Sequence, residues 1–343
     1  MPPRDRKLGE GLLKIGAAAI SLIAITLSSG ATHGVANDMP GRPCILAAYL
    51  PSWSASAHGT SADVDISQLP NYVNVIYLAF MRPDASYSSQ SGFLGTGLEF
   101  PYPVSVLKDS IAALKARRPS VKIFASLGGD TYSRWDKLNV QAIAEFVHDL
   151  QLDGVDIDFE PAAANCGKKD GSVVCDSDST LVETIRALRS ALSPSALISL
   201  TIPSVGAYGE GPWEHAGPHG GANYGVALAA LRDRSLYSSI DHVSIMAYDA
   251  GPDYQPLRAY RAVRSYYSGP ILIGFTPPPE AWGSHAYSIV EAQTVLRAAL
   301  LEGAAGAMLF HLKKNAGGSA TPERPDAELL GKALAFVLSS CTN

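Results

Sequence analysis

Eight consecutive residues carry the densest potential chemistry in the chain: Asp153-Gly154-Val155-Asp156-Ile157-Asp158-Phe159-Glu160. In an extended strand, side chains alternate faces with a period of two. Val155, Ile157 and Phe159 then share one face, and Gly154, Asp156, Asp158 and Glu160 share the other. Three carboxyls turned into a core are expensive when charged and unpaired, and Val or Leu would fill the same layer without that cost. Carboxyls so crowded cannot all ionise; their protonation is coupled and some pKa values rise. A glutamic acid that keeps its proton near neutral pH is the general acid a glycosidic oxygen needs. The competing readings are a calcium site or a buried structural network. Calcium gathers its ligands from a flexible loop, not from a regular strand.

Other chemistries find little support. No GxSxG, P-loop or HExxH run occurs. His215 and His219 stand four apart, a zinc-binding spacing on a helix, but Gly217 and Pro218 between them predict a loop. The four cysteines show no CxxC spacing, so a zinc site built on cysteine is not expected. Neither a metal nor a cofactor is expected.

The acidic row must be positioned by the elements around it. Short β-rich apolar runs occur at 45–50, 73–80, 121–127, 152–159, 197–202, 242–248, 271–275 and 307–310. Helical stripes lie between them: Val140, Ile143, Phe146, Val147 and Leu150; Leu181, Ile185, Leu188 and Leu192; Val295, Leu296 and Ala299; Leu330, Ala333, Leu334 and Val337. Thr180-x-x-Glu183 and Ser288-x-x-Glu291 read as capping boxes that open two of these helices. Strands alternating with helices over about 300 residues predict an α/β chain, a single-domain (β/α)8 TIM barrel occupying residues 37–343. An open doubly wound sheet would show a Gly-rich phosphate turn after its first strand, where this chain has Leu50-Pro51-Ser52-Trp53. In a barrel, Glu160 falls at the carboxyl end of the fourth strand, the rim where barrel active sites lie.

Composition sets the outer bounds. Of 343 residues, 47% are hydrophobic and 17% charged, enough apolar surface for a core and too much for general disorder. The net charge of −5 gives no electrostatic reason to expect nucleic acid or an anionic membrane surface as partner, and a monomer is expected. At the amino terminus, Arg4, Arg6, Lys7 and Lys14 outnumber Asp5 and Glu10, residues 15–27 carry no charge, and Ser29-Gly30-Ala31 and Gly34-Val35-Ala36 offer cleavage sites. This is the layout of a secretory signal peptide, residues 1–36, cleaved from a secreted or periplasmic protein. The apolar run, residues 15–27, falls short of the about 20 apolar residues an uncleaved membrane anchor needs. Barrel geometry also orders the cysteines. Strand 1 starts at the bottom rim and the last helix returns there, which pairs Cys44 with Cys341. Cys166 and Cys175 share the loop after the fourth strand and can pair at the top.

The acidic strand matches in full the DGxDxDxE signature of glycoside hydrolase family 18, the chitinases and their relatives, and the chain is identified by it as resembling that family. Ser126-Leu127-Gly128-Gly129 resembles the family's SxGG motif and Met246-Ala247-Tyr248-Asp249 its MxYD motif. Residues 75–80 resemble its second strand, and Tyr49 stands where the family has an aromatic residue. The resemblance runs from Ile45 to the last helix. It implies catalytic roles for Glu160, Asp158, Asp156 and Tyr248, and substrate contacts for Tyr49, Phe80, Ser126, Gly128, Gly129, Met246, Asp249 and Phe310. In the implied retaining mechanism the substrate supplies its own nucleophile. Glu160 protonates the leaving oxygen while the 2-acetamido carbonyl attacks the anomeric carbon, and water opens the resulting oxazolinium ion. Asp158 bonds the acetamido N–H, Asp156 shares a proton with Asp158, Ser126 helps satisfy that pair, and Tyr248 donates to the acetamido oxygen. The implied ligand is an oligo- or polysaccharide containing N-acetylglucosamine.

Two departures qualify the resemblance. Gly306-Ala307-Met308-Leu309-Phe310 carries phenylalanine where many members have tryptophan beneath the sugar. The segment between the seventh and eighth strands is too short for the α+β insertion found in many relatives, so an open, shallow cleft and endo-acting cleavage are expected. Tyr208, Trp213 and Trp282 lie in loops after the fifth and seventh strands, where each could stack on a sugar or pack against its own rim. The first reading is a hydrolase of β-1,4 bonds after N-acetylglucosamine, chitinase-like in action. The alternatives are an endo-β-N-acetylglucosaminidase acting on N-glycan cores and a lectin-like barrel that binds without cutting.

Overall fold

Strands buried on both faces need apolar residues at nearly every position, and the runs rich in Val, Ile, Leu and aromatic residues meet that demand. The computed structural model describes residues 44–57, 60–218, 223–282 and 285–342. The expected signal peptide, residues 1–36, and His219 lie outside the described residues. The strands are β1 (Ile45–Pro51), β2 (Val75–Met81), β3 (Lys122–Gly128), β4 (Gly154–Asp158), β5 (Gly167–Lys169), β6 (Ser172–Val174), β7 (Leu197–Pro203), β8 (His242–Met246), β9 (Ile271–Phe275) and β10 (Gly306–Leu309). All but β5 and β6 form one closed parallel barrel, ordered β1-β10-β9-β8-β7-β4-β3-β2. The expected (β/α)8 architecture is therefore present.

The helices are α1 (Val104–Arg117), α2 (Val140–Asp149), α3 (Asp178–Ala191), α4 (Leu228–Arg232), α5 (Pro256–Tyr266), α6 (Ile289–Leu301) and α7 (Ala327–Leu338). Each stripe read from the sequence faces inward; Leu181, Ile185 and Leu188 of α3 are fully covered. The Ser288 cap forms, its hydroxyl accepting the Glu291 N–H at 3.2 Å. The Thr180 box does not, because α3 begins earlier, at Asp178, whose carboxylate accepts the Cys175 N–H at 3.0 Å. Between β1 and β2 the described chain makes two 3-10 turns, Ser52–Ser54 and Asp65–Gln68, and no α-helix. Between β9 and β10 it contains α6 and no strand, so no α+β insertion is present among the described residues.

The loop after β4 holds the antiparallel hairpin β5–β6, too short for any alternation to register in the sequence. Its end pair, Gly167 with Val174, is flanked by the Cys166–Cys175 disulfide, which closes the hairpin. Cys44 and Cys341 form the second disulfide, with Cα atoms 5.8 Å apart across 297 residues of sequence. Both pairings are those the barrel dictates. A bridge restricts the unfolded chain more when it closes a longer loop, so the two should differ in effect. Replacing Cys44 and Cys341 by Ser should lower the unfolding free energy by about 2–5 kcal/mol in denaturant titration, and the Cys166/Cys175 pair by less. Equal losses from the two replacements would contradict this account.

Candidate active site

Register decides what surrounds the acidic row. Asp156 on β4 lies beside Ser126 on β3 and Ser199 on β7, while Asp158 lies between Gly128 and Thr201. The inward alternation read from the sequence holds. Asp156 Oδ1 accepts hydroxyl bonds from Ser199 at 2.6 Å and Thr201 at 2.9 Å. Its Oδ2 accepts from Ser126 at 2.7 Å and from Tyr49, reaching across from β1, at 3.0 Å. Burial raises the Asp156 carboxyl above its ordinary range, and these four donors hold the rise back. The four hydrogen bonds at Asp156 all come from hydroxyls.

Asp158 is treated differently. It is 2% exposed, and its Oδ1 has no hydrogen-bond partner among the described residues. Burial first, then the nearby charges of Glu160 and Asp156, push its pKa well above the carboxylate range. The chain approaches it closely through two glycines with left-handed backbone. A Cβ on Gly128 (φ 95°) would lie 2.4 Å from the Asp158 carbonyl oxygen, and one on Gly129 (φ 66°) would lie 2.9 Å from the Phe80 ring. Gly129 N–H donates to the Asp158 carbonyl at 3.0 Å.

Glu160 stands just past the end of β4. Burial is the main cause that pushes its pKa up to about 7, with the charges of Asp130 and Asp249 adding to it. A hydrogen bond from the Asp130 backbone N–H works against that rise. Tyr248 follows β8 and is 5% exposed; burial, with the charges of Asp158 and Glu160, keeps its phenol protonated far above its ordinary range.

A cavity of about 900 Å³ at the carboxyl ends of the strands is lined by Asp158, Glu160, Met246, Tyr248, Asp249, Phe80 and Phe310. Seven of the sequence-derived residues therefore share one space. Tyr49, Ser126, Gly128, Gly129 and Asp156 are buried behind its wall and do not line it. Aromatic rings form one side: Trp53 stacks on Phe80 (5.7 Å, 18°), Phe80 on Phe310 (6.4 Å, 26°), and Phe310 on Tyr248 (5.9 Å, 17°). Loops after β1, β2, β3, β7, β8 and β9 contribute to the walls.

Trp53, Glu99, Asp130 and Tyr132 also line the cavity and were not singled out from sequence. Isolated loop residues carry no periodicity, and only the run Gly129-Asp130 beside the SxGG-like turn offered a signal. Of the three undecided aromatics, Trp282 is on the cavity wall and 73% exposed. Tyr208 is fully buried, and Trp213 packs against the core with its indole donating to Ser265 at 3.3 Å, so both serve packing. His215 lies by the β5–β6 hairpin in a smaller cavity of about 320 Å³ with Lys168 and Glu214. Among the described residues, no group of three or more His, Cys, Asp or Glu is placed to hold a metal ion.

A parallel eight-stranded barrel with convergent carboxyls in a cavity at the strands' carboxyl ends defines the class of (β/α)8 enzymes. Residues 45–266 match Glycosyl hydrolases family 18, and the chain belongs to that family. A chitinase of Plasmodium falciparum (isolate 3D7) is 32% identical over 175 residues, covering 48% of this chain. The match spans 43% of that relative's length. Among solved structures, a family GH18 chitinase from Chromobacterium violaceum superposes with a TM-score of 0.60 at 15% identity, over 87% of this chain and 84% of that one. A GH18 chitinase from Pseudoalteromonas aurantia does so with a TM-score of 0.58 at 20% identity, over 85% and 99%. These likenesses establish the shared barrel fold.

A carboxyl whose folded pKa is raised contributes stability that is lost as pH rises from its unfolded value to its folded one. Glu160→Gln should therefore match the native protein in stability at acidic pH. Above about 4.5 the variant should become progressively more stable than the native protein, and the difference should level off beyond about 7. Thermal unfolding across that range checks this; a constant difference at all pH values would contradict a raised Glu160.

Proposed function

We propose that the chain is a secreted, chitinase-like glycoside hydrolase that cleaves β-1,4 bonds after N-acetylglucosamine with retention of configuration. One observation carries this reading: a buried, unpartnered Asp158 oxygen shares a cavity with a Glu160 whose pKa is pushed up to about 7. An orphaned buried acceptor is costly unless a ligand donor reaches it, and an acetamido N–H is such a donor. Family membership and the 32% identical chitinase segment support the same reading.

The steps follow from where each group stands. Glu160 gives its proton to the glycosidic oxygen as the bond from that oxygen to the anomeric carbon breaks. The acetamido oxygen forms the new bond to that carbon, and positive charge spreads over the oxazolinium ring. Asp158 accepts the ring N–H, and the protonated Tyr248 donates to the acetamido oxygen. Asp156, bonded by four hydroxyls, lies beneath Asp158 and has no free acceptor to offer the sugar. Water then attacks the anomeric carbon, Glu160 takes its proton, and the ring reopens to the acetamide. Preorganised groups of this kind act without reorganising as charge develops. No step calls for a metal or cofactor.

Residues 1–36 are proposed as a cleaved signal peptide preceding a catalytic barrel, residues 37–343. Two disulfides suit an oxidising compartment. Among the described residues no helix is long and apolar enough to cross a membrane. The mature protein is proposed to act as a monomer.

The test is to incubate the protein separately with chitooligosaccharides and with a high-mannose glycoprotein, and to weigh the released sugars. Chitobiose-type fragments are expected. Deglycosylated protein would instead place the activity on N-glycan cores, and inertness on both would indicate a binding protein. Glu160→Gln should reduce kcat by about a hundredfold to ten-thousandfold while sparing binding. A free amine in place of the acetamide at the cleaved sugar should stop the reaction, and unimpaired cleavage would mean a protein nucleophile. Because Glu160 must hold its proton, kcat/KM should fall as pH rises through about 7; a rate that holds level to higher pH would remove Glu160 as the acid.

A further inference from the structure

Glu280 lies in the connection from β9 to α6, outside the cavity lining, with its side chain 1% exposed. Its Oε2 accepts the Asp249 N–H at 2.7 Å, and its Oε1 lies 2.8 Å from His285 Nδ1. The other ring nitrogen, His285 Nε2, lies 2.9 Å from Glu291 Oε1 in the first turn of α6. Ionised carboxylates only accept, and a neutral imidazole has one N–H, so with Glu280 and Glu291 both ionised the two contacts are satisfied only by an imidazolium. Burial would lower the His285 pKa, yet hydrogen bonds and charge from Glu280 and Glu291 carry it above its ordinary value.

The far end of this chain of contacts is the catalytic cavity. Asp249 has a left-handed backbone, φ 54°, uncommon for a residue with a Cβ and maintained only where the surroundings hold it. Glu280 holds its N–H, while its own Oδ1 accepts the Trp282 N–H at 3.1 Å. Asp249 and Trp282 both line the cavity, and the Asp249 charge is felt by Glu160. Other groups face the clamp. Lys314, whose ammonium donates to Thr276 at 2.8 Å, senses Asp249 and Glu280. Tyr254 and Tyr287 sense Glu280, and the Tyr287 ring meets His285 edge-on at 4.6 Å.

We propose that Glu280, bridged to α6 through a charged His285, is a positioning residue that sets the left-handed turn at Asp249. It thereby places the Asp249 carboxylate beside Glu160 and Trp282 on the cavity wall. The proposal rests on the reading of Glu160 as the acid. Without Glu280, Asp249 is free to relax and carry its charge away from Glu160, so the acid loses its proton at lower pH. Trp282 loses its anchor in the same event.

Glu280→Ala should reduce kcat/KM about tenfold and move the alkaline limb of the pH–rate profile down by about half a pH unit. KM should rise along with the fall in kcat. Glu280→Gln, whose amide oxygen can still accept the Asp249 N–H, should recover part of both effects; a purely structural defect would lower kcat and leave the limb in place. Nitrogen-15 NMR of the unliganded native protein should show both His285 nitrogens protonated at neutral pH, and one protonated in Glu280→Gln. If Glu280→Ala does not fold, His285→Gln should shift the limb in the same direction. A folded Glu280→Ala protein with the native limb and KM overturns the proposal, as does a neutral His285 in the native protein. An intact His285 clamp in a native protein that cleaves neither test substrate would instead sink the functional reading.

Discussion

Three carboxyls stacked on the inward face of one short strand cannot share one environment, and the site rests on how the barrel distinguishes them. Asp156, deepest, is surrounded by four hydroxyls and has nothing left to offer a ligand. Asp158, one layer up, is equally buried but keeps an oxygen without a partner. Glu160, at the rim, is pressed by burial and by Asp130 and Asp249 toward its protonated form. Along one strand the acids therefore pass from satisfied, to unsatisfied, to proton-holding. Each state follows from the neighbours the register supplies, not from the carboxyl itself.

The rest of the barrel maintains this gradient. Ser126 and Ser199 flank Asp156 because β3 and β7 pair with β4 in that register. Gly128 and Gly129 let the chain turn against Asp158 and bring the Asp130 N–H toward Glu160. The aromatic rings from Trp53 through Tyr248 offer apolar faces on the cavity wall, with Phe310 in the middle of the series. A smaller ring at Phe310 is thus set among other rings. The arrangement trades stability for chemistry: an oxygen left bare at Asp158 is a cost in the empty protein that a ligand N–H removes.

Much of this was legible in the chain because strand periodicity is strict. A period of two put Asp156, Asp158 and Glu160 on one face, and the fold could only turn that face inward. Barrel closure likewise paired Cys44 with Cys341. What was illegible depends on contacts between distant segments. Thr180 carries a good capping signature, yet the Cys175–Asp178 contact starts α3 before it. The β5–β6 hairpin has three-residue strands, too short for any pattern. Glu99, Asp130 and Trp53 are single loop residues whose convergence exists only in the folded barrel, and Glu280 takes the Asp249 N–H from a distant loop, the one after β8. Tyr208 and Trp213 show the reverse, aromatic loop residues absorbed into packing.

The central claim is that the folded barrel keeps a proton on Glu160 near neutrality. It is tested most directly by carbon-13 NMR of glutamate carboxyls in the unliganded protein, with Glu160→Gln used to assign the Glu160 signal. A signal that titrates at about 7 is the predicted result. A Glu160 carboxyl that titrates within the ordinary range, near 4.5, would contradict the account.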